Sequence, residues 1–589
     1  MNYREFVIEH EQIIIHTKGE ICIRKEDLLR SGIFRHILKL YLEKLQSEEA
    51  PVLEMSGLQR ITKTGRLGAL YALLCELNAA RLDAVAGKSL LVPKSFPDSQ
   101  RTGLHEFVEG LYDFWRSFDR FMVLHAMPGP SGFEQRPYRS FNATIETLSH
   151  TVRALYRDIC ENIIGAHPRV YRQVSAGCNI GLIALPLTAR MPKKYQAVSG
   201  DIPFIRQVWI TPPMIMDPPM NVRTGRFERV PVNPLENVRL KKEEWLCYPA
   251  CVGDLTIFVY FHQTFMGLGC TLANLFELAS DESIEKGPDA LYFFGMPETA
   301  RCGCLDSKTV FYDDKKHDIL VAAVPGRSDF GYFGYLKKMT LTLHNIIMMK
   351  RGRMPFHGAM VHISLRSGKQ ANVLVIGDTA TGKSESLEAL RMLGQKHISE
   401  MRIIADDMGS LEVRDGRVIG YGTEIGAFIR LDDLQQGYAF DQIDRAIIMS
   451  PQKVNARVVL PVTSFSEIVH GYPVDVLLYA NNYEIVDETH PVLRRFETPV
   501  EAMKVFSVGA AMAKGTTTST GLVHSYFANI FGPSQYRALH EPLALRTFKA
   551  AFRKKAWVGE IRTQLGVTGR ETEGPRKAAE ALLKLVEQS

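Results

Sequence analysis

Apolar residues recur at helical spacing in two long stretches of the first 200 residues. These stretches are Leu104–Leu124 and Thr144–Ile164, and a period of three to four residues predicts an amphipathic helix in each. Between them, the Pro- and Gly-rich segment Met127–Phe133 predicts a loop. The region contains no catalytic pattern, so residues 1–200 are expected to be a mainly helical accessory region that serves packing or oligomerisation.

Short apolar runs of strand length follow in the next part of the chain. They include Leu255–Phe261, Thr309–Tyr312 and Ile319–Val324. From about residue 346, strand patterns alternate with helical patterns, which is typical of an α/β domain. The sequence therefore predicts three segments, with boundaries 1–200, 201–345 and 346–589, of which the last two form an α/β protein.

Composition and charge exclude several classes of protein. The chain has 589 residues, of which 46% are hydrophobic and 23% charged, as in ordinary globular proteins. A net charge of +6 is too small for this length to indicate a nucleic-acid partner. No signal-peptide core or apolar run of about 20 residues is found, so no membrane partner is expected.

The cysteines favour a reducing compartment. There are nine, an odd and sparse number, and neither Cys247–Cys251 nor Cys302–Cys304 has the paired spacing of a structural zinc site. We therefore expect a cytoplasmic protein with reduced thiols.

A phosphate-binding loop is predicted between a strand and a helix. The apolar run Val373–Ile376 leads into the pattern G-x-x-x-x-G-K-S, and the helical stretch Glu385–Leu393 follows. Backbone amides of such a loop face a polyphosphate, with the lysine near the β- and γ-phosphates and the serine hydroxyl on Mg²⁺. The expected nucleotide-binding residues are Gly377, Asp378, Thr379, Ala380, Thr381, Gly382, Lys383 and Ser384.

Two adjacent carboxylates follow the next apolar run. Asp406 and Asp407 come directly after Arg402–Ala405, at the end of an expected strand. Carboxylates at a strand end beside a phosphate loop are placed to hold a divalent cation or to act in proton transfer.

Several segments together resemble the phosphoenolpyruvate carboxykinase family, chiefly its ATP-using branch. The first two are Tyr332-Phe-Gly-Tyr-Leu-Lys337-Lys338 and Met354-Pro-Phe-His357, ahead of the phosphate loop. The resemblance implies that Lys338, His357 and Asp407 ligate Mn²⁺ and that Tyr332 lies beside the substrate. A lysine ligates only as the neutral amine, so the pKa of Lys338 is expected to be lowered, with Lys337 contributing by repulsion.

Later segments extend the resemblance to about residues 305–589. In Asn455–Pro461, Arg457 corresponds to an arginine that reaches the transferred phosphate, and Phe527–Gly532 and Trp557–Gly566 are similar to two late landmarks of the family. The family's substrate segment has no clear counterpart. Arg226, in Thr-Gly-Arg, is the expected carboxylate-binding residue, and Arg66 is the alternative.

The resemblance implies a fold and a reaction. The fold is two-lobed, with a substrate-side lobe over 201–345 and the phosphate loop in a nucleotide-binding lobe over 346–589. The reaction converts oxaloacetate and ATP reversibly into phosphoenolpyruvate, CO₂ and ADP, a step of gluconeogenesis, with Mn²⁺ and Mg²⁺ as cofactors. The choice of nucleotide stays open. The Gly/Thr-rich segment Lys514–Gly521 is expected to be a closing loop. The implied catalytic residues are Lys338, His357, Lys383, Asp406, Asp407 and Arg457.

Two alternatives remain. The pair His357-Gly358, the ending Gly-Lys-Ser-Glu of the phosphate loop and Ala405-Asp-Asp407 also resemble HPr kinase/phosphorylase, which phosphorylates a protein serine. That family lacks the Tyr332/Lys338 segment, so a kinase acting on a protein or small-molecule hydroxyl ranks second. A nucleotide-binding regulator without catalytic activity ranks third.

Overall fold

The structure is a computed structural model that describes most of the chain. The described residues are 4–18, 24–58, 67–87, 97–126, 138–224, 226–297, 308–378, 380–434, 440–513 and 521–588. The predicted loop at Met127–Phe133, Arg66, Thr379, the Cys302–Cys304 pair and all but the last residue of Lys514–Gly521 lie outside these residues. The chain forms two compact units, Met1–Pro186 with Ile205–Thr211, and Leu187–Phe204 with Pro212–Ser589.

The first unit combines helices with a small sheet. Its described helices are α1 (Lys25–Arg30), α2 (Gly32–Ser47), α3 (Pro51–Met55), α4 (Leu67–Ala79), α5 (Leu82–Val85), α6 (Asp98–Ser117) and α7 (Tyr138–Ile164). Its strands are β1 (Phe6–Glu9), β2 (Gln12–Thr17), β3 (Asp119–His125), β4 (Ile180–Leu185) and β5 (Phe204–Ile210). The strands follow the order β1-β2-β3-β4-β5, and β2, β3 and β4 run parallel.

The sequence predictions for this unit are correct for one helix and wrong at one end of the other. Helix α7 contains the whole predicted stretch Thr144–Ile164. The predicted helix Leu104–Leu124 is wrong beyond Ser117, because the chain turns at Phe118 into the buried strand β3. The expectation of a mainly helical region therefore missed a sheet whose short strands stand between long helices.

The second unit contains the remaining elements. Its described helices are α8 (Lys193–Ser199), α9 (Met266–Thr271), α10 (Asp281–Lys286), α11 (Phe333–Lys350), α12 (Lys383–Leu393), α13 (Phe465–His470), α14 (Pro499–Val508), α15 (Pro533–Arg553) and α16 (Glu573–Gln588). Its strands up to residue 376 are β6 (Met214–Met216), β7 (Phe227–Val230), β8 (Trp245–Val252), β9 (Leu255–His262), β10 (Glu277–Leu278), β11 (Ala290–Met296), β12 (Thr309–Asp314), β13 (Ile319–Pro325), β14 (Met354–Leu365) and β15 (Gln370–Ile376). The later strands are β16 (Ile398–Ala405), β17 (Met408–Arg414), β18 (Arg417–Gly422), β19 (Gly426–Arg430), β20 (Ile447–Met449), β21 (Arg457–Pro461), β22 (Tyr472–Pro473), β23 (Val476–Asn481), β24 (Leu493–Arg495), β25 (Ala510–Ala513), β26 (Gly521–His524) and β27 (Trp557–Arg562).

Two large mixed sheets dominate this unit. One has the strand order β8-β9-β11-β13-β12-β7, with β9, β11 and β13 parallel. The other has the order β22-β18-β17-β14-β15-β23-β27-β24, with β15, β23 and β27 parallel. The strands predicted at residues 255, 309, 319, 373 and 402 are therefore confirmed, and the protein is a mixed α/β protein.

Helix α11 is buried on all sides. Sixteen of its residues are buried, from Phe333 to Met349, because apolar side chains occur around its whole circumference. The predicted boundary between residues 345 and 346 falls inside this helix, so α11 belongs to both predicted lobes. It also carries Lys337 and Lys338 into the interior, next to β14.

Acid is expected to destabilise the second unit through Asp314. Burial alone would raise the pKa of this carboxyl, but hydrogen bonds from Lys194, Tyr195 and His317 outweigh it and lower the pKa from 3.8 to about 2. The charged form therefore stabilises the fold above pH 4, and this contribution is lost as the pH falls toward 2. Between pH 5 and pH 2, the free energy of unfolding in urea should fall by about 2 kcal/mol more in the wild type than in Asp314→Asn. An equal dependence of this free energy on pH in the two proteins would contradict the prediction.

Candidate active site

The predicted phosphate loop lies at the carboxyl end of parallel strands. Strand β15 ends at Ile376, and α12 begins at Lys383. Gly382, at φ +84°, adopts the left-handed conformation that starts this helix, and a Cβ there would lie 2.5 Å from Thr563 Oγ1. Glycine is therefore required at this position both by conformation and by space.

Residues that follow the two neighbouring parallel strands hold the loop. Asn482, directly after β23, donates from Nδ2 to the carbonyl of Ala380 over 2.9 Å. Thr563, directly after β27, donates from its hydroxyl to the carbonyl of Thr381 over 2.6 Å. Ligands of open α/β sheets bind at this edge. No sequence pattern indicated these two partners, because they meet the loop only in the folded sheet.

Lys383 and Ser384 are the first two residues of α12. Lys383 is 8% exposed, and its charge helps to lower the pKa of Asp407. Ser384 is half-buried. The predicted phosphate loop and the predicted metal ligands are thus neighbours, and the positive end of the α12 dipole adds to the charge of Lys383.

His357 contacts two hydrogen-bond acceptors. Its Nδ1 faces the carbonyl oxygen of Ala528, and its Nε2 lies 2.9 Å from Asp407 Oδ1. A neutral imidazole has only one N–H, so it satisfies one of these acceptors and turns a lone pair toward the other. A protonated ring or a cation at Nε2 resolves this conflict. The second arrangement, with Nδ1–H donating to a carbonyl, is typical of metal-binding histidines.

The second turn of α11 brings Lys338 to the same place. Its Nζ lies 4.8 Å from the centre of the Phe531 ring, and that ring also contacts the His357 ring, with 5.7 Å between centres. Burial, followed by the charge of Arg223, lowers the pKa of Lys338 to about 8, and Lys337 contributes in the same direction. The surroundings of Lys338 therefore lower its pKa in the direction that the sequence analysis expected, with burial as the main cause.

Lys337 takes part in a buried ion-pair network. Its Nζ lies 2.8 Å from Asp407 Oδ2 and 3.3 Å from Glu424 Oε1. Burial disfavours the charged amine, but the two carboxylates outweigh this effect and raise its pKa. Burial also raises the pKa of Glu424 to about 7, against the charge of Lys337. Burial would raise the pKa of Asp407 too, but Lys337 and His357 keep it well below its usual range.

Glu424 was missed by the sequence analysis. It is 1% exposed and accepts a hydrogen bond from the hydroxyl of Thr423 over 2.7 Å. Nothing in its local sequence distinguishes it from a surface glutamate, because its partner Lys337 comes from a distant helix.

Asp378 and Asp406 flank the cluster. Asp378 Oδ1 lies 3.9 Å from His357 Nδ1, and its charge acts on Lys338. Asp406 is half-buried and adds to the raised pKa of Lys337. Asp378 and Asp406 therefore lie near Lys338 and Lys337, respectively, rather than on a remote surface.

The Phe428 ring contacts three residues of the candidate site, namely Tyr332, Lys337 and Arg457. The Tyr332 ring lies 6.0 Å from its centre, Lys337 Nζ 5.8 Å and the Arg457 guanidinium carbon 5.2 Å. Tyr332 precedes the first turn of α11, and Arg457 is the first residue of β21. Phe428 thus places Tyr332 and Arg457 beside the Lys337 end of the cluster.

Arg226 is not brought to the cluster. Arg226 directly precedes β7, and its side chain is exposed. Its backbone carbonyl accepts a hydrogen bond from the Thr309 hydroxyl. Arg223 is half-buried instead, and its charge acts on Lys338. Since the next residue, Thr224, donates from its backbone N–H to Tyr335 over 3.2 Å, this segment is held against α11. By its placement near Lys338, Arg223 is therefore a better candidate than Arg226 for binding a carboxylate.

The donor set fits a divalent cation. An amine with a lowered pKa, an imidazole whose Nδ1 faces a carbonyl and a carboxylate converge beside the phosphate loop. Nitrogen and oxygen donors suit Mn²⁺ and its neighbours in the transition series.

No model of a known protein family matches the chain, and no curated protein matches it. In the described residues, no helix has the length and apolar character needed to cross a membrane.

Proposed function

We propose that the protein is a divalent-metal-dependent phosphoenolpyruvate carboxykinase with the two-lobed fold of that family. The observation that carries the proposal is the convergence of Lys338, His357 and Asp407 next to the Lys383 phosphate loop. The reaction proposed is oxaloacetate plus ATP to phosphoenolpyruvate, CO₂ and ADP, in the cytoplasm.

The first step breaks the bond between the departing carboxylate and carbon 3 of oxaloacetate. The electron pair of that bond forms an enolate, and CO₂ leaves. Positive charge near the enolate oxygen lowers the barrier to this step. Mn²⁺, when bound, supplies Lewis-acid stabilisation there. Arg223 is positioned near Lys338 to hold a substrate carboxylate.

The second step transfers the γ-phosphoryl group of ATP. The enolate oxygen forms the new bond to phosphorus, the bond to the β-phosphate oxygen breaks, and ADP leaves. Lys383 and Arg457 are the cations proposed to spread the negative charge of the transferred group, while Ser384 holds Mg²⁺. Burial of Lys337, Lys383 and His357 keeps the surroundings of the enolate dry, which limits its protonation by water.

The decisive test is an assay of phosphoenolpyruvate formation from oxaloacetate. ATP, GTP and pyrophosphate are compared as phosphoryl donors, with and without Mn²⁺. We expect donor-dependent release of CO₂ that requires the metal and is lost in Asp407→Asn. The exposed Asp415→Asn serves as the matched control and keeps full activity. Nucleotide binding without product from any donor would overturn the proposal.

Arg223→Ala is expected to weaken substrate binding more than Arg226→Ala does. Removal of a charged hydrogen-bond partner of a carboxylate costs about 2 kcal/mol, which corresponds to a KM for oxaloacetate about 30-fold higher. Steady-state kinetics at saturating ATP measures this change. A larger increase in the KM for oxaloacetate in Arg226→Ala would show that Arg226 binds the carboxylate instead.

A kinase acting on a hydroxyl is the second candidate. The contact between His357 Nε2 and Asp407 forms a histidine–carboxylate pair beside the phosphate loop, an arrangement suited to accepting a hydroxyl proton. This function predicts nucleotide consumption that oxaloacetate does not stimulate. Measurement of ADP release with and without oxaloacetate therefore separates the two candidates.

A further inference from the structure

Three side chains of residue types that commonly ligate metals meet on two helices of the first unit. His105 and Glu109 are four residues apart on α6 and therefore lie on one face, and Cys160 is on the adjacent helix α7. One donor atom from each lies within 4.8 Å of the other two. None of these residues belongs to the candidate active site.

The distances approach those of a ligand set. His105 Nε2 lies 3.6 Å from Glu109 Oε1, and Cys160 Sγ lies 3.8 Å from the same oxygen. At a tetrahedral ion with bonds of about 2.0 Å to nitrogen and oxygen and about 2.3 Å to sulfur, ligand atoms are about 3.3 to 3.6 Å apart. Small side-chain rotations therefore suffice to enclose an ion.

Neighbouring side chains hold the Glu109 carboxylate in place, and one side of the cluster is open to solvent. The hydroxyl of Tyr156, one turn before Cys160, donates to Glu109 Oε1, and the Tyr156 ring stacks on Tyr112 with 4.0 Å between centres. Cys160 is buried at 6% exposure, whereas His105 and Glu109 are 30% and 42% exposed. An ion can thus enter from solvent and retain a water molecule as a fourth ligand.

The donor types select the ion. Nitrogen, oxygen and a thiolate suit Zn²⁺ and related transition metals, and a sulfur ligand disfavours Mg²⁺ and Ca²⁺. We propose that His105, Glu109 and Cys160 form a Zn²⁺ site that links α6 to α7. Binding replaces the thiol proton, which leaves for solvent, and the charges of the thiolate and the carboxylate balance that of the ion.

Co²⁺ provides the test, because only a bound thiolate gives its sulfur-to-metal charge-transfer absorption. Titration of the full chain should produce this band with one ion per chain, and Zn²⁺ should abolish it. In the part of the chain that the structure describes, the candidate active site contains no sulfur ligand, so an ion bound there does not contribute. The proposal is independent of the proposed function.

Cys160→Ser should abolish the band, and His105→Ala should weaken Co²⁺ binding by more than about 100-fold, since even groups that only orient a ligand contribute about 10- to 100-fold. The matched controls are the buried Cys178→Ser and the exposed His150→Ala, which should bind as the wild type does. His105 is partly exposed, so its variant keeps the test valid if Cys160→Ser unfolds. No band, or a band that survives in Cys160→Ser, would overturn the proposal.

Discussion

Lys383→Ala is expected to lower the rate of phosphoryl transfer by about 10³-fold, as the loss of one fixed electrostatic group typically does. Lys383 is 8% exposed at the start of α12, where it meets the amino end of the helix dipole. A charge in such a site acts on the transferred phosphoryl group with little screening by water. Steady-state turnover at saturating nucleotide measures the effect for either candidate function.

The matched control is Lys396→Ala, which removes an exposed lysine shortly after the same helix. It should keep wild-type turnover. If both variants retain activity, the phosphate loop takes no part in the reaction. If circular dichroism shows that Lys383→Ala is unfolded, the comparison is repeated with Lys383→Gln, which keeps most of the side-chain length.

Lys337→Met is expected to lower the free energy of unfolding by about 3–5 kcal/mol, the usual cost of removing one partner from a buried ion pair. Lys337 is 2% exposed and lies 2.8 Å from Asp407 and 3.3 Å from Glu424. Methionine fills the space of the stem but removes the cation that Asp407 and Glu424 share. Urea unfolding compared with the wild type measures the loss.

The neighbouring Lys338→Met is the control for stability. Lys338 contacts the Phe531 ring and forms no ion pair with another described residue, so its replacement should cost about 1 kcal/mol or less. The double variant Lys337→Met/Glu424→Gln should recover part of the loss, because it removes one of the unpaired charges. If Lys337→Met and Lys338→Met lost the same free energy of unfolding, the ion pairs of Lys337 would contribute nothing measurable to stability.

Local sequence was sufficient to predict the strand and the helix on either side of the proposed phosphate loop. Its glycines, lysine and serine occur at fixed spacing between a strand and a helix, and the structure has β15 and α12 in those places. The grouping of Lys338 with His357 came from a family resemblance. Composition and periodicity alone did not predict it.

The residues that sequence missed or misplaced act through long-range contacts. Glu424 gains its role from a lysine on α11, Arg223 from the way its segment packs on Tyr335, and Phe428 from side chains on three elements. In the first unit, β3 was missed because the apolar pattern of α6 continues across Phe118 into the strand. Only the tertiary fold decides such positions.

Helix α11 has a consequence for how the protein can change during evolution. In an ordinary amphipathic helix, tolerance to substitution rises and falls every three to four positions, because one side meets water. In α11 nearly every side chain from Phe333 to Met349 is enclosed, so acceptable replacements should be scarce along its whole length. A saturation mutagenesis profile should therefore be uniformly intolerant there, and sequence drift should accumulate in the surrounding loops instead.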